Sequence, residues 1–302
     1  MRKLLLSSTA LATVAVLTAG AAVADVSISA ATEWSYTSRS SQVTVADGTF
    51  FGQDSEIAFN FSNKTDSGLT IAHTVELQSD DADTAIDESS FSISGGFGKV
   101  ILGNNDNVMD NYGFEAEDAV TEQSSTTHTS ATIGGGNGPI MGDSDANKIA
   151  YHLPAMGGFT AGFSFADSGV SETAANAGTD TTAVGFAYTM DAGGNALTIA
   201  GAQGTTEATT TDADSQNISA KVVAGNMTVI VANSTYQADD EDRNSVGAGV
   251  SYTLPNGMVL GAYTFKTEDD LDAGEEYSKS GMEVMYTIAA GLKAIVNVDD
   301  YD

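Results

Sequence analysis

Apolar and polar residues alternate along most of the chain with a period of two. In the segment IAFNF, Ile57, Phe59 and Phe61 share one face. The same alternation recurs in GFTAGFSFA at residues 158–166 and in LKAIVNV at residues 292–298. This pattern is typical of β-strands with one apolar and one polar face. It predicts fifteen strands, at residues 26–36, 55–62, 69–78, 89–95, 99–103, 147–153, 159–166, 181–189, 195–203, 216–223, 227–236, 244–253, 258–266, 280–287 and 291–299.

The connections between these strands alternate in length. Every second connection is short and rich in Gly or Asn, which adopt the positive φ of tight hairpins. The connections between them are long, polar and acidic, at residues 37–54, 79–88, 104–146, 167–180, 204–215, 237–243 and 267–279. A transmembrane barrel sorts its loops in this way, with short periplasmic turns at one rim and long outer loops at the other. We therefore predict an all-β fold, a transmembrane antiparallel β-barrel.

Aromatic residues near the strand ends support the same topology. One set ends the strands that run inward: Phe61, Tyr151, Tyr188, Tyr252 and Tyr286. The other set ends the strands that run outward: Trp34, Tyr36, Phe165, Tyr236 and Phe265. We expect these rings to form two girdles at the membrane interfaces.

The number of strands is odd, whereas single-chain bacterial barrels have an even number. We expect sixteen strands, of which about fifteen are present in this chain, because it stops at Asp302 directly after an outward-running strand. The barrel is predicted to span residues 25–302, with the closing strand missing.

The N-terminus has the layout of a secretory signal peptide. Arg2 and Lys3 precede an apolar stretch at residues 4–17, and Ala22-Val23-Ala24 provides a small-residue cleavage site. This stretch is shorter than the roughly 18 apolar residues of a membrane-spanning helix. We predict that residues 1–24 are a signal peptide removed after Ala24.

The charge of the chain limits its partners. Its 302 residues include 41 Asp and Glu but only 11 Lys and Arg, for a formal net charge of -30, and it has no Cys. Such acidity excludes nucleic acid as a partner, because the phosphates would be repelled. It favours the binding or conduction of cations.

The chain resembles the Gram-negative general porins of the alphaproteobacterial, Rhodobacter-like type. The resemblance rests on DVSISAATEWSY at the start of the barrel, on GGFGKVILGNND before the longest loop, and on NKIAYHLPAMGGFTAGFSFAD after it. It implies a homotrimer in the outer membrane, in contact with lipid and lipopolysaccharide and inserted by the barrel-assembly machinery. It also implies a passive diffusion channel for small hydrophilic solutes and ions, without a cofactor. The third outer loop of such porins folds into the lumen, and we expect residues 104–146 to form this constriction.

Two features depart from the family. Its members end in a strand with a terminal aromatic residue, whereas this chain ends in Asp302. They also oppose the acidic loop with an Arg cluster, whereas Ser92 and Ser94 lie on the polar face of the fourth predicted strand.

The expected constriction loop carries the candidate selectivity residues. They are Asp106, Asp110, Glu115, Glu117, Asp118 and Glu122. In a narrow aqueous section between low-dielectric walls, their field is focused. Strand parity places four basic residues on the lumen wall: Arg39, Lys148, Lys221 and Lys293. Because these four basic residues are scattered along the strands and the six carboxylates lie in one loop, we expect weak cation selectivity.

Other chemistry has weaker support in the sequence. The acidic runs SDDADTAIDE (79–88) and QADDEDR (237–243) could bind Ca²⁺, but neither has the EF-hand spacing. The three histidines, His73, His128 and His152, do not predict a catalytic triad, and we expect no enzyme activity. The alternative function is an exported acidic surface-binding or adhesin-type β protein without channel activity. That alternative explains the acidity but not the sorting of the loops.

Overall fold

The computed structural model describes residues 3–10, 25–39, 48–78, 86–120, 146–167, 180–207, 212–238, 241–269 and 275–301. It contains sixteen strands: β1 Lys3–Ala10, β2 Asp25–Arg39, β3 Gly48–Lys64, β4 Thr70–Gln78, β5 Ser89–Gly95, β6 Gly98–Asn104, β7 Asn147–His152, β8 Phe159–Asp167, β9 Asp180–Asp191, β10 Ala196–Glu207, β11 Ala213–Ala224, β12 Met227–Ala238, β13 Glu241–Thr253, β14 Val259–Asp269, β15 Glu275–Ala289 and β16 Leu292–Tyr301. Between β6 and β7 lie a short helix, α1 (Val108–Asn111), and a 3₁₀ turn (Ala116–Ala119). Among the described residues, no helix is long and apolar enough to cross a bilayer.

All sixteen strands belong to one antiparallel sheet in the form of a barrel. Each strand pairs with its neighbours in sequence, and β1 pairs with both β2 and β16. The fifteen predicted strands are confirmed as β2 to β16, and several extend beyond their predicted ends. The sixteenth strand, β1, lies within the predicted signal peptide and occupies the position between β16 and β2.

The period of two places apolar side chains on the outer face of the barrel. Ile218, Val231, Val246 and Met282 are each at least half exposed. The alternate residues of the same strands face inward, as with Ser219, Ser234 and Ser245, which are buried. An apolar exterior with a polar interior is the reverse of a soluble protein and is the arrangement of a membrane barrel.

The short connections form one rim, as the sequence predicts. Glycines with positive φ lie in most of these turns, including Gly68, Gly158, Gly225 and Gly257 at 58° to 88°. This conformation is strained for side chains with a Cβ atom and explains the Gly content of these connections.

Two of the aromatic residues assigned to the outer girdle face inward, so that part of the prediction is wrong. Phe265 is 2% exposed and packs against Tyr277 in the lumen, with ring centroids 5.9 Å apart. Tyr236 also lies on the inner face. The Arg243 guanidinium carbon lies over the Tyr236 ring, 5.5 Å from the ring centroid. Phe265 is covered by the chain that follows β6, which allows an apolar residue on an otherwise polar inner face.

Candidate functional site

Residues 105–120 lie inside the barrel against the inner faces of β7 to β15. Val108 and Met109 are fully buried in a cluster with the wall alanines Ala150 and Ala183. Ala116 is fully buried in a second cluster, formed with Tyr263, Phe265 and Tyr277. We call this segment the lumen loop. Its apolar side chains pack against the wall, whereas Asp106, Asp110 and Asp118 are exposed.

Local hydrogen bonds shape the first contact of the lumen loop. Asn107 caps α1 because its Oδ1 accepts the Met109 N–H at 2.9 Å. The Tyr112 ring then lies over two wall glycines, where a Cβ on Gly162 or Gly185 would come within 2.8 Å and 2.6 Å of the Tyr112 side chain. Glycine at these two positions therefore provides the space that the ring occupies.

The Tyr112 hydroxyl forms a 3.0 Å hydrogen bond with His152 Nδ1, and the two rings are stacked. Burial raises the pKa of the Tyr112 phenol, so this group stays neutral. The His152 contact therefore fixes the ring without adding a charge to the loop.

The middle of the lumen loop is held by polar wall residues. The Phe114 N–H donates to Ser219 Oγ at 2.9 Å, and Asn217 Nδ2 donates to the Phe114 carbonyl at 3.2 Å. Lys221 Nζ lies 4.0 Å from the centroid of the Phe114 ring. This distance is within the range of a cation–π contact.

The 3₁₀ turn forms the second contact with the wall. A Cβ on Gly249 would lie 2.0 Å from the Ala116 carbonyl oxygen, and one on Gly261 would lie 2.7 Å from Val120 Cγ1. Glu117 forms an ion pair with Lys279 of β15, and both side chains are at most 1% exposed. This buried pair joins the loop to the wall.

The predicted carboxylates differ in environment. Asp106, Asp110 and Asp118 are exposed, whereas Glu117 is buried in the ion pair with Lys279. Glu115 is partly buried at the N-terminus of the 3₁₀ turn, where the Glu115 N–H donates to Asp118 Oδ2 at 3.0 Å. Glu122 lies outside the described residues.

The ionisation of Glu115 is perturbed. Desolvation by burial raises the pKa of its carboxyl group to about 7, and the negative charges of Asp118, Glu117 and Asp110 add to this shift. Lys279 opposes the shift but is weaker than the other causes combined. The Glu115 side chain therefore changes charge near neutral pH.

The four predicted basic residues are not brought together. Lys148 is buried and its Nζ donates to the Asn105 carbonyl of the lumen loop. Lys221 lies over Phe114, and Lys293 is partly buried near the short-turn rim. Arg39 is the last residue of β2, and its side chain lies outside the described part of the structure.

The sequence analysis missed two sets of charged wall residues. Lys279 was missed because its strand was predicted to begin at residue 280, although Tyr277, Lys279 and Glu283 continue the alternation.

Four carboxylates also share the inner face of β2 to β4: Glu33, Asp54, Glu56 and Glu76. Glu33 is in register with Asp54, and the Glu56 and Glu76 side chains are hydrogen-bonded to each other. For Glu33, Glu56 and Glu76 the available signal was an adjacent outward-facing apolar residue, whereas Asp54 lies between the polar residues Gln53 and Ser55.

A Ca²⁺ site on the acidic runs is not tested by the structure, because residues 79–85 and 239–240 lie outside its description. Among the residues that are described, no group of three or more His, Asp or Glu side chains could hold a metal ion.

A sixteen-stranded barrel with an apolar exterior, a polar interior and a chain segment folded into the lumen defines a membrane channel protein. The chain belongs to the Gram-negative porin family, which it matches over residues 9–302. It is therefore an outer-membrane porin of a Gram-negative bacterium. Membership of this family supports a porin channel over the alternative of an adhesin-type surface protein.

Solved porins share the fold at low sequence identity. A porin refined at 1.8 Å resolution is 16% identical, with a TM-score of 0.61 over 100% of this chain and 99% of that chain. The anion-selective porin from Comamonas acidovorans is also 16% identical, with a TM-score of 0.59 over 100% and 99% of the two chains. The trimer form of OmpT from Vibrio cholerae is 13% identical, with a TM-score of 0.64 over 94% and 100%. No curated protein sequence matches the chain significantly.

Proposed function

We propose that the barrel encloses a water-filled path for the passive diffusion of small hydrophilic solutes and ions, with a weak preference for cations. In this proposal residues 104–146 are the constriction loop, and the lumen loop is its first part. The observation that carries the proposal is the contrast between the charges of the lumen loop and those of the wall. Asp106, Asp110 and Asp118 are exposed, whereas the ammonium groups of Lys148, Lys221 and Lys279 contact the loop itself.

The wall carboxylates of β2 to β4 support the same sign of selectivity. Glu33 and Asp54 add negative charge to the inner face, and the hydrogen-bonded Glu56 and Glu76, which share one proton, add one charge between them. Fixed charges in a narrow section with low-dielectric walls act on a permeating ion more strongly than charges in bulk water. A cation is therefore stabilised along this path and an anion is disfavoured.

Membership of the family does not determine the sign of selectivity. The similar porin from Comamonas acidovorans is anion-selective. The preference of this protein must therefore come from its own charges, which is why we base it on the named carboxylates.

We further propose that the protein is a homotrimer, because the similar OmpT structure is a trimer form. Outer-membrane lipid, lipopolysaccharide and the barrel-assembly machinery are its other proposed partners. The diffusion proposed here needs neither a cofactor nor an enzymatic step, because the solute only crosses the lumen. Removal of residues 1–24 as a signal peptide remains a prediction.

Planar bilayer recordings test the proposed function. We expect open-channel currents in KCl and, under a KCl gradient, a reversal potential with the sign that K⁺ diffusion produces. The preference should weaken as the salt concentration rises, because the Debye length shortens from about 8 Å at physiological salt to about 3 Å at 1 M. Small uncharged sugars should also enter liposomes that contain the protein, because the proposed path is filled with water. The absence of channels would contradict the whole proposal, whereas a reversal potential of the opposite sign would contradict only the cation preference.

A further inference from the structure

The inner face of β3 carries opposite charges at its two ends. Asp54 and Glu56 lie toward the long-loop rim, whereas Lys64 is the last residue of the strand, at the short-turn rim, and shares their parity. The three inward-facing residues between Glu56 and Lys64 are uncharged. At about 3.4 Å per residue and a tilt of about 40°, the eight positions from Glu56 to Lys64 correspond to about 20 Å along the barrel axis.

The neighbouring strands repeat this separation of charge. Glu33 of β2 is in register with Asp54 at the acidic end. Lys99 is the second residue of β6, at the short-turn rim, and is in register with His152. Because the His152 ring contacts Tyr112 of the lumen loop, this row of residues faces the lumen. The wall formed by β2 to β6 is therefore negative toward the long-loop rim and positive at the short-turn rim.

The charges at both ends of this wall are accessible to permeating ions. Asp54, Lys64 and Lys99 are exposed. Neither Lys64 nor Lys99 forms an ion pair with any residue that the structure describes. They differ in this respect from Lys279, whose charge is used to hold the lumen loop.

The rest of the short-turn rim does not reverse this polarity. Lys221 and Lys293 lie near the short-turn ends of β11 and β16 and add positive charge. Among the described residues of this rim, Asp25, Asp66 and Asp191 offset most of it. The rim is therefore close to neutral as a whole, whereas the lumen loop and the adjacent wall are strongly acidic.

We propose that the lumen is electrically polarised along its axis and that the channel rectifies, conducting more current when the long-loop side is positive. This inference rests on the proposed function, because it concerns ions that cross the same lumen. It adds Lys64 and Lys99 as residues that determine the direction of easier conduction.

The direction follows from where each ion enters. With the long-loop side positive, cations enter at the acidic end and anions enter beside Lys64 and Lys99, so each ion first meets charges that attract it. Both ions then accumulate inside the lumen and the conductance rises. With the opposite polarity each ion enters at the end that attracts it less, and the lumen is depleted of carriers.

Single-channel current–voltage curves in symmetric KCl test this proposal. The chain has no Cys, so Asp242→Cys at the long-loop end of β13, labelled from one side with a bulky maleimide, shows which side the long-loop rim faces. At about 0.1 M KCl, where the Debye length is about 10 Å, we expect about 1.5-fold more current with the long-loop side positive than with it negative. At about 1 M KCl the ratio should approach one, because the Debye length falls to about 3 Å.

Charge reversal at the short-turn rim tests the residues assigned to it. Lys64→Glu/Lys99→Glu makes both ends of the wall negative, so the current ratio should fall to one and the cation preference should increase. Both side chains are exposed, so the substitutions leave the packing of the strands unchanged. Lys266→Glu reverses an exposed charge on the outward face and should keep the ratio of the unmodified channel.

Three results would overturn the proposal: a ratio of one in the unmodified channel at low salt, a larger current with the long-loop side negative, or an unchanged ratio in Lys64→Glu/Lys99→Glu. These results are distinct from a failure of the proposed function. That failure would appear as missing channels or as a reversal potential of the opposite sign, whereas a channel that prefers cations but conducts equally in both directions would contradict only the axial polarity.

Discussion

Replacing Lys279 with Met would leave the Glu117 carboxylate buried without its cation. The two side chains are 1% and 0% exposed. Breaking a buried ion pair by removing one partner costs about 3–5 kcal/mol. Because about 1.4 kcal/mol corresponds to a tenfold change in an equilibrium constant, the ratio of docked to undocked lumen loop should fall by roughly 100- to 3000-fold. The strand pairing of the barrel does not depend on this pair, so the cost should fall on the loop.

Single-channel recording provides the assay. The Lys279→Met channel should show a larger mean conductance and more current fluctuation, because the loop leaves the wall for part of the time. The double variant Glu117→Met/Lys279→Met should restore nearly normal currents, because replacing both partners by apolar residues of similar volume is close to neutral. Lys266→Met is the matched control. It removes a Lys from an exposed ion pair worth about 0–1 kcal/mol, and the conductance should not change.

Two results would refute this reasoning. If Lys279→Met conducts like the unmodified channel, the buried pair does not hold the loop in the lumen. If the double variant is as disturbed as the single variant, the effect comes from lost packing around Lys279 rather than from an unpaired carboxylate.

Two further predictions follow from the lumen loop. Cation preference should decrease as the pH falls from 8 to 6, because the pKa of Glu115 is raised to about 7. The negative charge of Glu115 is present above that pH and lost below it. Glu115→Gln should remove this pH-dependent step in the reversal potential, and an unchanged step would exclude Glu115 as its source. Gly249→Val should displace the 3₁₀ turn by about 1 Å or more and raise current noise, since its Cβ would lie 2.0 Å from the Ala116 oxygen. Gly96→Ala, where nothing lies within 4 Å of the added Cβ, is the control, and equal noise in both variants would contradict the role of Gly249.

The strands could be predicted from the sequence because the membrane and the aqueous lumen impose opposite polarity on alternate residues. This requirement acts on each strand separately, so a short segment such as residues 57–61 shows it without knowledge of the remaining fold. The same rule fails at Phe265, which faces inward. The lumen loop covers that part of the wall, and a covered position does not need to be polar.

The internal arrangement of the site could not be predicted in the same way. Asp110 and Glu117 are both acidic residues of one irregular segment, yet one is exposed and the other is buried against Lys279. The difference depends on a contact between residues 162 positions apart in the chain. Sequence periodicity carries no information about such a contact, because the loop has no regular period.

The reversal potential of two matched triple variants tests the central claim most directly. The first, Asp106→Asn/Asp110→Asn/Asp118→Asn, neutralises the exposed carboxylates of the lumen loop. The second neutralises three exposed acidic residues at or beyond strand ends: Asp180, Asp212 and Asp242. Under a KCl gradient, our account predicts that the first variant loses most of the cation preference and that the second keeps it. Retained preference in the first variant together with its loss in the second would show that the lumen loop does not set the ion selectivity.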